Sequence, residues 1–159
     1  MIAIIGCGNL NRQDDGVGPS VIERLRSRFE EEPGVKLFDA GTDGMAVMFR
    51  ARGCKTLIVV DASQMGVEAG AIHEIPGNEL ELEYKPGLNL HDFRWDAALH
   101  SGRQIFRDEF PEDVVVFLIE AKELGLGIGL STPVSKAAGS VASRIAEIVS
   151  QRLRGDGAD

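Results

Sequence analysis

The sequence predicts a three-layer α/β sandwich with a mostly parallel five-stranded sheet, one antiparallel strand, and helices on both faces. Short, continuous apolar runs alternate with amphipathic helical patterns, which is typical of parallel strands joined by crossover helices. Acidic residues and glycines follow the first two of these runs, as expected for functional loops at strand ends. The 159 residues have the length of one domain, expected at 1–154 with a disordered tail at 155–159.

The first element is a buried strand that opens into an acidic loop. Met1–Ile5 is a continuous apolar run, which favours a central strand covered on both faces. Asp14 and Asp15 follow its carboxyl end, where open α/β sheets hold their ligands. Apolar residues at helical spacing then predict the first helix, at Val17, Val21, Ile22, Leu25 and Phe29.

The middle of the chain predicts three further strands and one helix. Val35–Phe38 is the second strand, and an acidic, glycine-containing loop joins it to a helix at about 45–52. Lys55–Val60 is the third strand, which runs straight into Asp61. Nine residues separate Asp61 from the next apolar run, Ala71–Ile75, and a crossover helix needs about a dozen. The fourth strand is therefore predicted to be antiparallel.

The second half of the chain predicts a long loop, two helices and the last strand. Residues 76–90 are irregular and predict a surface loop. Residues 91–110 predict the third helix, with Arg94 on its outer face and an inner face of Phe93, Ala97, Ala98, Ile105 and Phe106. Val114–Ile119 is the fifth strand, and the last helix is expected to begin with Ser131 or Thr132 as its cap. The element order, β-α-β-α-β-β-α-β-α, fits a phosphorylase/hydrolase-like sandwich.

Composition limits the partners and the location of the protein. The formal net charge is −8, which argues against non-specific binding to nucleic acid or to an anionic membrane and favours a protein partner. Cys7 and Cys54 form neither a disulfide framework nor a zinc cluster, and we expect both to be buried as small hydrophobes. No apolar run approaches the roughly 18 residues that span a bilayer, so we expect a soluble, cytoplasmic protein.

Three residues are candidates for chemistry: Asp15 after the first strand, Asp61 at the end of the third, and His91 where the long loop meets a helix. Two carboxylates and an imidazole from separate loops at one sheet edge would form a mixed ligand set suited to zinc or nickel. Simpler roles stay open, because Asp15 could cap a helix, Asp61 could be a turn residue or bind a hydroxyl, and His91 could be a surface residue. His73 and His100 share no obvious site with them, and we expect structural roles.

Five blocks occur in a characteristic order and spacing: Gly6-Cys-Gly-Asn9 with Asp14–Pro19, Asp39–Gly44, Leu57–Ala62, His91, and Gly129–Pro133. Together they resemble the hydrogenase maturation proteases, the endopeptidases that trim the carboxyl-terminal extension of nickel-iron hydrogenase large subunits. Two segments depart from the family pattern, Asp92–Asp96 and Leu118–Ala121. These departures bear on which subunit is recognised and leave the three candidate ligands unchanged.

The resemblance implies a ligand set and a substrate. It assigns metal binding to Asp15, Asp61 and His91, with nickel supplied by the precursor large subunit. Zinc or another divalent ion could occupy the site in isolation. Asp15 or Asp61 could act as a general base, and Asp39 is either an auxiliary acidic residue or the cap of the second helix. We expect a monomer that binds a nickel-iron hydrogenase large-subunit precursor, and neither nucleic acid nor membrane.

Other functions predict different features. A phosphate-binding module is disfavoured because the opening loop lacks a third glycine and a Lys-Ser/Thr cradle, and its two carboxylates would repel an anion. A metal-dependent hydrolase of a small substrate would use the same three residues around a permanently bound zinc. A maturation protein that binds the large subunit without cutting it needs no complete ligand set.

Overall fold

A five-stranded sheet forms the centre of the protein in the computed structural model, which describes residues 1–79 and 94–155. The strand order is β2-β1-β3-β5-β4. Four strands are parallel, and β4 runs antiparallel to β5, as the short connection after the third strand predicted. The strands are β1 (Ile2–Cys7), β2 (Val35–Gly41), β3 (Thr56–Ser63), β4 (Ile72–Pro76) and β5 (Asp113–Glu120).

Helices cover both faces of the sheet, which confirms the predicted three-layer sandwich. They are α1 (Val17–Phe29), α2 (Gly44–Ala51), α3 (Trp95–Phe106) and α4 (Thr132–Gly155), with short 3-10 helices at Gln13–Gly16 and Arg107–Glu109. One core packs α1 and α4 against Ile2 and Ile4, and the other packs α2 and α3 against Ala3 and Ile5. No helix within the described ranges has the length and apolar character needed to cross a bilayer.

The first turn of α1 lies unusually close to the sheet. A Cβ atom at Gly18 would meet backbone atoms of Cys7 and would lie 2.6 Å from the carbonyl oxygen of Val60. Only a residue without a side chain fits between these two strands. This contact fixes the start of α1, and with it the preceding loop that carries Asp14 and Asp15.

Four of the five strands are longer than the apolar runs that predicted them. Parallel pairing continues past those runs, since Gly6 pairs with Asp39 and Asp61 pairs with Leu118. Asp39 and Asp61 therefore lie within β2 and β3, where the sequence placed them just after these strands. Backbone hydrogen bonds between neighbouring strands do not require apolar side chains, so hydrophobicity alone underestimates strand length.

The third helix differs from its prediction at its carboxyl end. The α-helix stops at Phe106 because Arg107 has a positive φ (46°), and the predicted continuation is a 3-10 helix over Arg107–Glu109 that ends before residue 110. Ile105, predicted to face inward, is 62% exposed, whereas Trp95 and Leu99 are buried. Residues 80–93, which include most of the predicted loop, Phe93 and the predicted start of this helix, lie outside the described residues. At the carboxyl terminus, α4 includes Gly155, and the rest of the predicted tail is likewise outside them.

Candidate active site

Asp15 and Asp61 line one cavity at the carboxyl edge of the parallel strands. The cavity has a volume of about 380 Å³. The loops after β1 and β2, the end of β3 and the start of α3 together form its wall, with Cys7, Gly8, Arg12, Gly41, Thr42, Asp43, Gly44, Arg94 and Trp95. The fold thus brings together two of the three residues that the sequence singled out.

The carboxylate of Asp61 is buried and held at both oxygens. Its side chain is 5% exposed. Oδ1 accepts a hydrogen bond from the Ala62 backbone N–H (2.8 Å), and Oδ2 accepts one from Nη2 of Arg94 (2.9 Å). Burial raises the pKa of Asp61, and the guanidinium of Arg94 opposes that rise. The sequence placed Arg94 on the outer face of a helix, but the residue precedes α3 and forms an ion pair with Asp61.

Asp15 is half-buried and does not cap α1. Its Oδ2 accepts a hydrogen bond from the backbone N–H of Asn9 (2.8 Å), across the loop that follows β1. The N-cap of α1 is Gly16, which has no capping side chain. The capping role that the sequence left open for Asp15 is therefore wrong, and its carboxylate belongs to the wall of the cavity.

Of the two remaining predicted site residues, the structure describes only Asp39. Asp39 is exposed on β2, where its Oδ1 accepts a hydrogen bond from the Gly41 backbone N–H (2.9 Å). It does not cap α2, because Asp43 does so by accepting hydrogen bonds from two backbone N–H groups of the first turn. His91 lies outside the described residues. Within residues 1–79 and 94–155, no three His, Cys, Asp or Glu side chains are arranged to hold a metal ion, so the ligand set remains a prediction.

Cys7 lies in the same cavity wall, but its thiol is poorly suited to nucleophilic attack. Both Cys7 and Cys54 are buried and free, as predicted. Burial, reinforced by the negative charge of Asp61, raises the pKa of the Cys7 thiol far above its ordinary value. Because the thiolate is the reactive form of cysteine, Cys7 stays protonated and inert at neutral pH.

Asp14, which the sequence analysis did not name as a site residue, fixes the position of the site. It is fully buried and accepts hydrogen bonds from the backbone N–H groups of Lys122, Glu123 and Ser131 and from the Ser131 hydroxyl, at 2.7–2.9 Å. Burial alone would raise the pKa of Asp14, but these hydrogen bonds outweigh it and lower that pKa. The buried carboxylate thereby ties the loop of Asp15 to the segment between β5 and α4.

Glu120 likewise holds the loop after β3 in place. It is buried at the end of β5 and accepts hydrogen bonds from the Ser63 hydroxyl and from the backbone N–H groups of Met65 and Gly66. These bonds lower its pKa against the opposing effect of burial. The sequence signal for this residue is the one that marked Asp61, an acidic residue at the end of an apolar run.

A second cavity adjoins the first. Its volume is about 300 Å³, and it shares Asp15, Arg94 and Trp95 with the larger cavity. Its remaining wall comes from the ends of β3 and β5, the segments after them and the first turn of α3, with Ala62, Ser63, Gln64, Met65, Asp96, Leu118 and Leu124. The two cavities thus meet at Asp15 and Arg94.

Asp15 and Asp61 thus line a cavity at the carboxyl edge of an open α/β sheet, which is where such folds bind their ligands. Residues 19–148 match the sequence model of the family described as hydrogenase maturation protease. The chain belongs to this family and is accordingly a peptidase, a hydrolase of the hydrogenase maturation endopeptidase type.

Relatives and solved structures agree with this assignment. The chain is 33% identical over 145 residues to the coenzyme F420 hydrogenase subunit delta of Methanothermobacter thermautotrophicus, covering 86% of each protein. It is 29% identical over 135 residues to HoxM of Azotobacter vinelandii, a hydrogenase expression/formation protein, covering 84% of this chain but only 64% of HoxM.

The fold is that of solved maturation endopeptidases. Superposition on the endopeptidase HybD from E. coli gives a TM-score of 0.81 at 22% identity, covering 95% of this chain and 93% of HybD. The [NiFe] hydrogenase maturation protease HycI from Thermococcus kodakarensis KOD1 gives 0.70 at 25% identity, covering 94% and 92%. The predicted fold class and family are confirmed.

Proposed function

We propose that this protein removes the carboxyl-terminal extension of a nickel-iron hydrogenase large-subunit precursor after nickel insertion, and that it recognises the nickel held by that substrate. The observation that carries the proposal is the placement of Asp15 and Asp61 in one cavity of a chain from this family. Nickel here belongs to the substrate. The cytoplasmic location and monomeric state expected from the sequence are part of the same proposal.

The chemistry of the two carboxylates supports this role. Carboxylate oxygens bind divalent cations, and two of them leave most coordination positions of such an ion open. An incomplete site of this kind binds a free ion weakly and fills when a partner supplies the remaining ligands. A substrate that carries its own cysteine-bound nickel would supply them, so occupancy of the site would report that nickel had been inserted.

The shape of the site supports a peptide substrate. The two adjoining cavities, of about 380 and 300 Å³, share a wall at Asp15, Arg94 and Trp95. A polypeptide segment lying across both would pass over Asp15. We assign general-base catalysis of peptide hydrolysis to Asp15 or Asp61, since a carboxylate within reach of a water molecule can accept its proton. Asp39, beside the cavity on β2, is the candidate auxiliary residue.

The third ligand in the proposal is His91, whose assignment rests on the sequence. The variant that tests it is His91→Ala, for which we expect loss of processing with an unchanged melting temperature. Processing at the wild-type rate would remove His91 from the site. Zinc or another divalent ion could occupy the site in the absence of substrate.

The test of the proposed function is mass spectrometry of a nickel-loaded large-subunit precursor incubated with the protein. We expect the wild type to release one discrete carboxyl-terminal peptide, and Asp15→Asn and Asp61→Asn to release none. Asp43→Asn is the matched control, because Asp43 lines the same cavity while asparagine retains its cap on α2. Cleavage by Asp61→Asn at the wild-type rate would contradict the proposal, as would a failure of the wild type to cleave.

A further inference from the structure

Arg94 forms an ion pair with Asp61, whose carboxylate is a metal ligand in the proposed function. Its Nη2 donates to Oδ2 of Asp61 at 2.9 Å, while the other carboxylate oxygen accepts a backbone N–H. In the free protein, the positive charge that Asp61 faces is therefore an arginine of its own chain.

The Arg94 side chain can leave Asp61 without unpacking the core. Its neighbour Trp95 is buried against α2 and β1, which fixes the backbone at this point. The Arg94 side chain itself is 61% exposed and makes no capping hydrogen bond to α3. Asp96, exposed on the first turn of α3, also attracts the guanidinium. When a metal ion binds Asp61, the guanidinium of Arg94 can therefore pair with Asp96.

We propose that Arg94 is an internal counter-cation of Asp61. It competes with free divalent ions for this carboxylate, and a nickel ion held by a bound protein substrate displaces it. The proposal rests on the proposed function and deepens it, because it names the residue that makes the site selective for substrate-held nickel. A buried carboxylate without a partner lowers the stability of the fold, so Asp61 remains paired with Arg94 until another cation replaces the guanidinium.

The selectivity follows from competition. A free hydrated ion must displace a charge-assisted hydrogen bond and gains only an incomplete set of ligands in return. A nickel ion fixed in a docked substrate competes at a high effective concentration, because protein contacts elsewhere already hold it near the site. The cost of displacing Arg94 is the same for both ions, but it leaves Asp61 largely unoccupied by dilute free metal, whereas an ion held at high effective concentration still fills the site.

The proposal is tested by isothermal titration calorimetry of the free protein with nickel chloride alone. We expect weak binding by the wild type and an affinity at least about tenfold higher for Arg94→Gln, the range that loss of a hydrogen bond to a charged group allows. The double variant Arg94→Gln with Asp61→Asn should lose this gain. The melting temperature of Arg94→Gln should rise with nickel concentration, since a ligand that binds the folded state stabilises it.

The matched control is Arg12→Gln. Arg12 lines the same cavity, but its Nη2 donates to the Leu124 carbonyl oxygen, a neutral acceptor. Arg12→Gln changes the net charge by the same amount as Arg94→Gln. We expect it to change the nickel affinity by less than about twofold, because exposed charges are screened. An equal gain for both variants would overturn the proposal, because the effect would then be one of general charge.

Other results would also overturn it. They are tight nickel binding by the wild type or an unchanged nickel affinity in Arg94→Gln. The proposed function fails by a separate result, precursor cleavage by Asp61→Asn. Cleavage that depends on Asp61 together with an unchanged nickel affinity in Arg94→Gln would refute only the role of Arg94.

Discussion

Asp14 and Asp15 are adjacent in the chain, but their carboxylates do different things. Asp14 is fully buried and accepts four hydrogen bonds from the segment between β5 and α4. Asp15 accepts a backbone hydrogen bond from Asn9 and lines the cavity that also contains Asp61. The first carboxylate positions the loop, and the second is available for chemistry.

The first prediction separates these two roles by matched substitutions. Asp14→Asn places an amide NH₂ group among buried donors, and we expect it to lower the free energy of unfolding by about 3 kcal/mol, or the melting temperature by about 10 °C. Asp15→Asn keeps an acceptor for Asn9, and we expect a loss below about 1 kcal/mol. Chemical and thermal unfolding of both variants measure this difference. Equal losses would show that the two carboxylates share one structural role.

The second prediction concerns pH and the contact between β5 and α4. Asp113 accepts hydrogen bonds from Arg152 (2.8 and 3.2 Å) and from the Thr56 hydroxyl (2.9 Å). The Arg152 guanidinium lowers the pKa of Asp113 in the folded state. Its ionised form therefore stabilises the fold above the unfolded pKa of about 3.9, and this contribution disappears as pH falls through the folded value.

We therefore expect Asp113→Asn to lower the free energy of unfolding at pH 7 by about 1 kcal/mol or less, since the pair is partly exposed. The difference from the wild type should shrink as the pH is lowered toward 3, as measured by urea unfolding across that range. Arg152→Gln is the control, because the double variant should cost no more than either single change. A difference that is constant with pH would exclude this ion pair as its source.

The third prediction concerns the close approach of α1 to the sheet. Gly18→Ala would drive a methyl group into the backbone of Cys7 and Val60, and we expect a loss of about 3 kcal/mol in the free energy of unfolding. Gly139→Ala in α4 is the matched control, because its Cβ would meet only the end of the flexible Arg24 side chain, at 3.2 Å. That change should be neutral or stabilise the helix by up to about 1 kcal/mol. Similar results for both glycines would contradict the packing account.

The fold could be predicted because its main features are local. All six residues of β1 are buried, as a continuous apolar run indicates, and the short connection before β4 excluded a crossover helix. The misassigned parts of α3 depend on tertiary contacts. Ile105 continues the helical spacing but is exposed, and Arg107 ends the helix through a backbone conformation that its side chain does not reveal.

The site could be predicted only in part. The sequence predicted Asp61 from its position at the end of a strand and Asp15 from the loop after β1. Both predictions rely on the fact that side chains at the carboxyl ends of parallel strands lie at one edge of the sheet. Which of two adjacent aspartates is buried depends on the segment 120–131, more than a hundred residues away in the chain. The ion pair of Arg94 with Asp61 likewise spans 33 residues and leaves no periodic pattern in the sequence.

Mass spectrometry of one precursor in nickel-loaded and nickel-free forms tests whether cleavage depends on nickel in the substrate. Both forms are incubated with the wild-type protein under identical conditions. We expect release of a discrete carboxyl-terminal peptide from the nickel-loaded precursor alone. Release of the same peptide at the same rate from the nickel-free precursor would contradict this expectation.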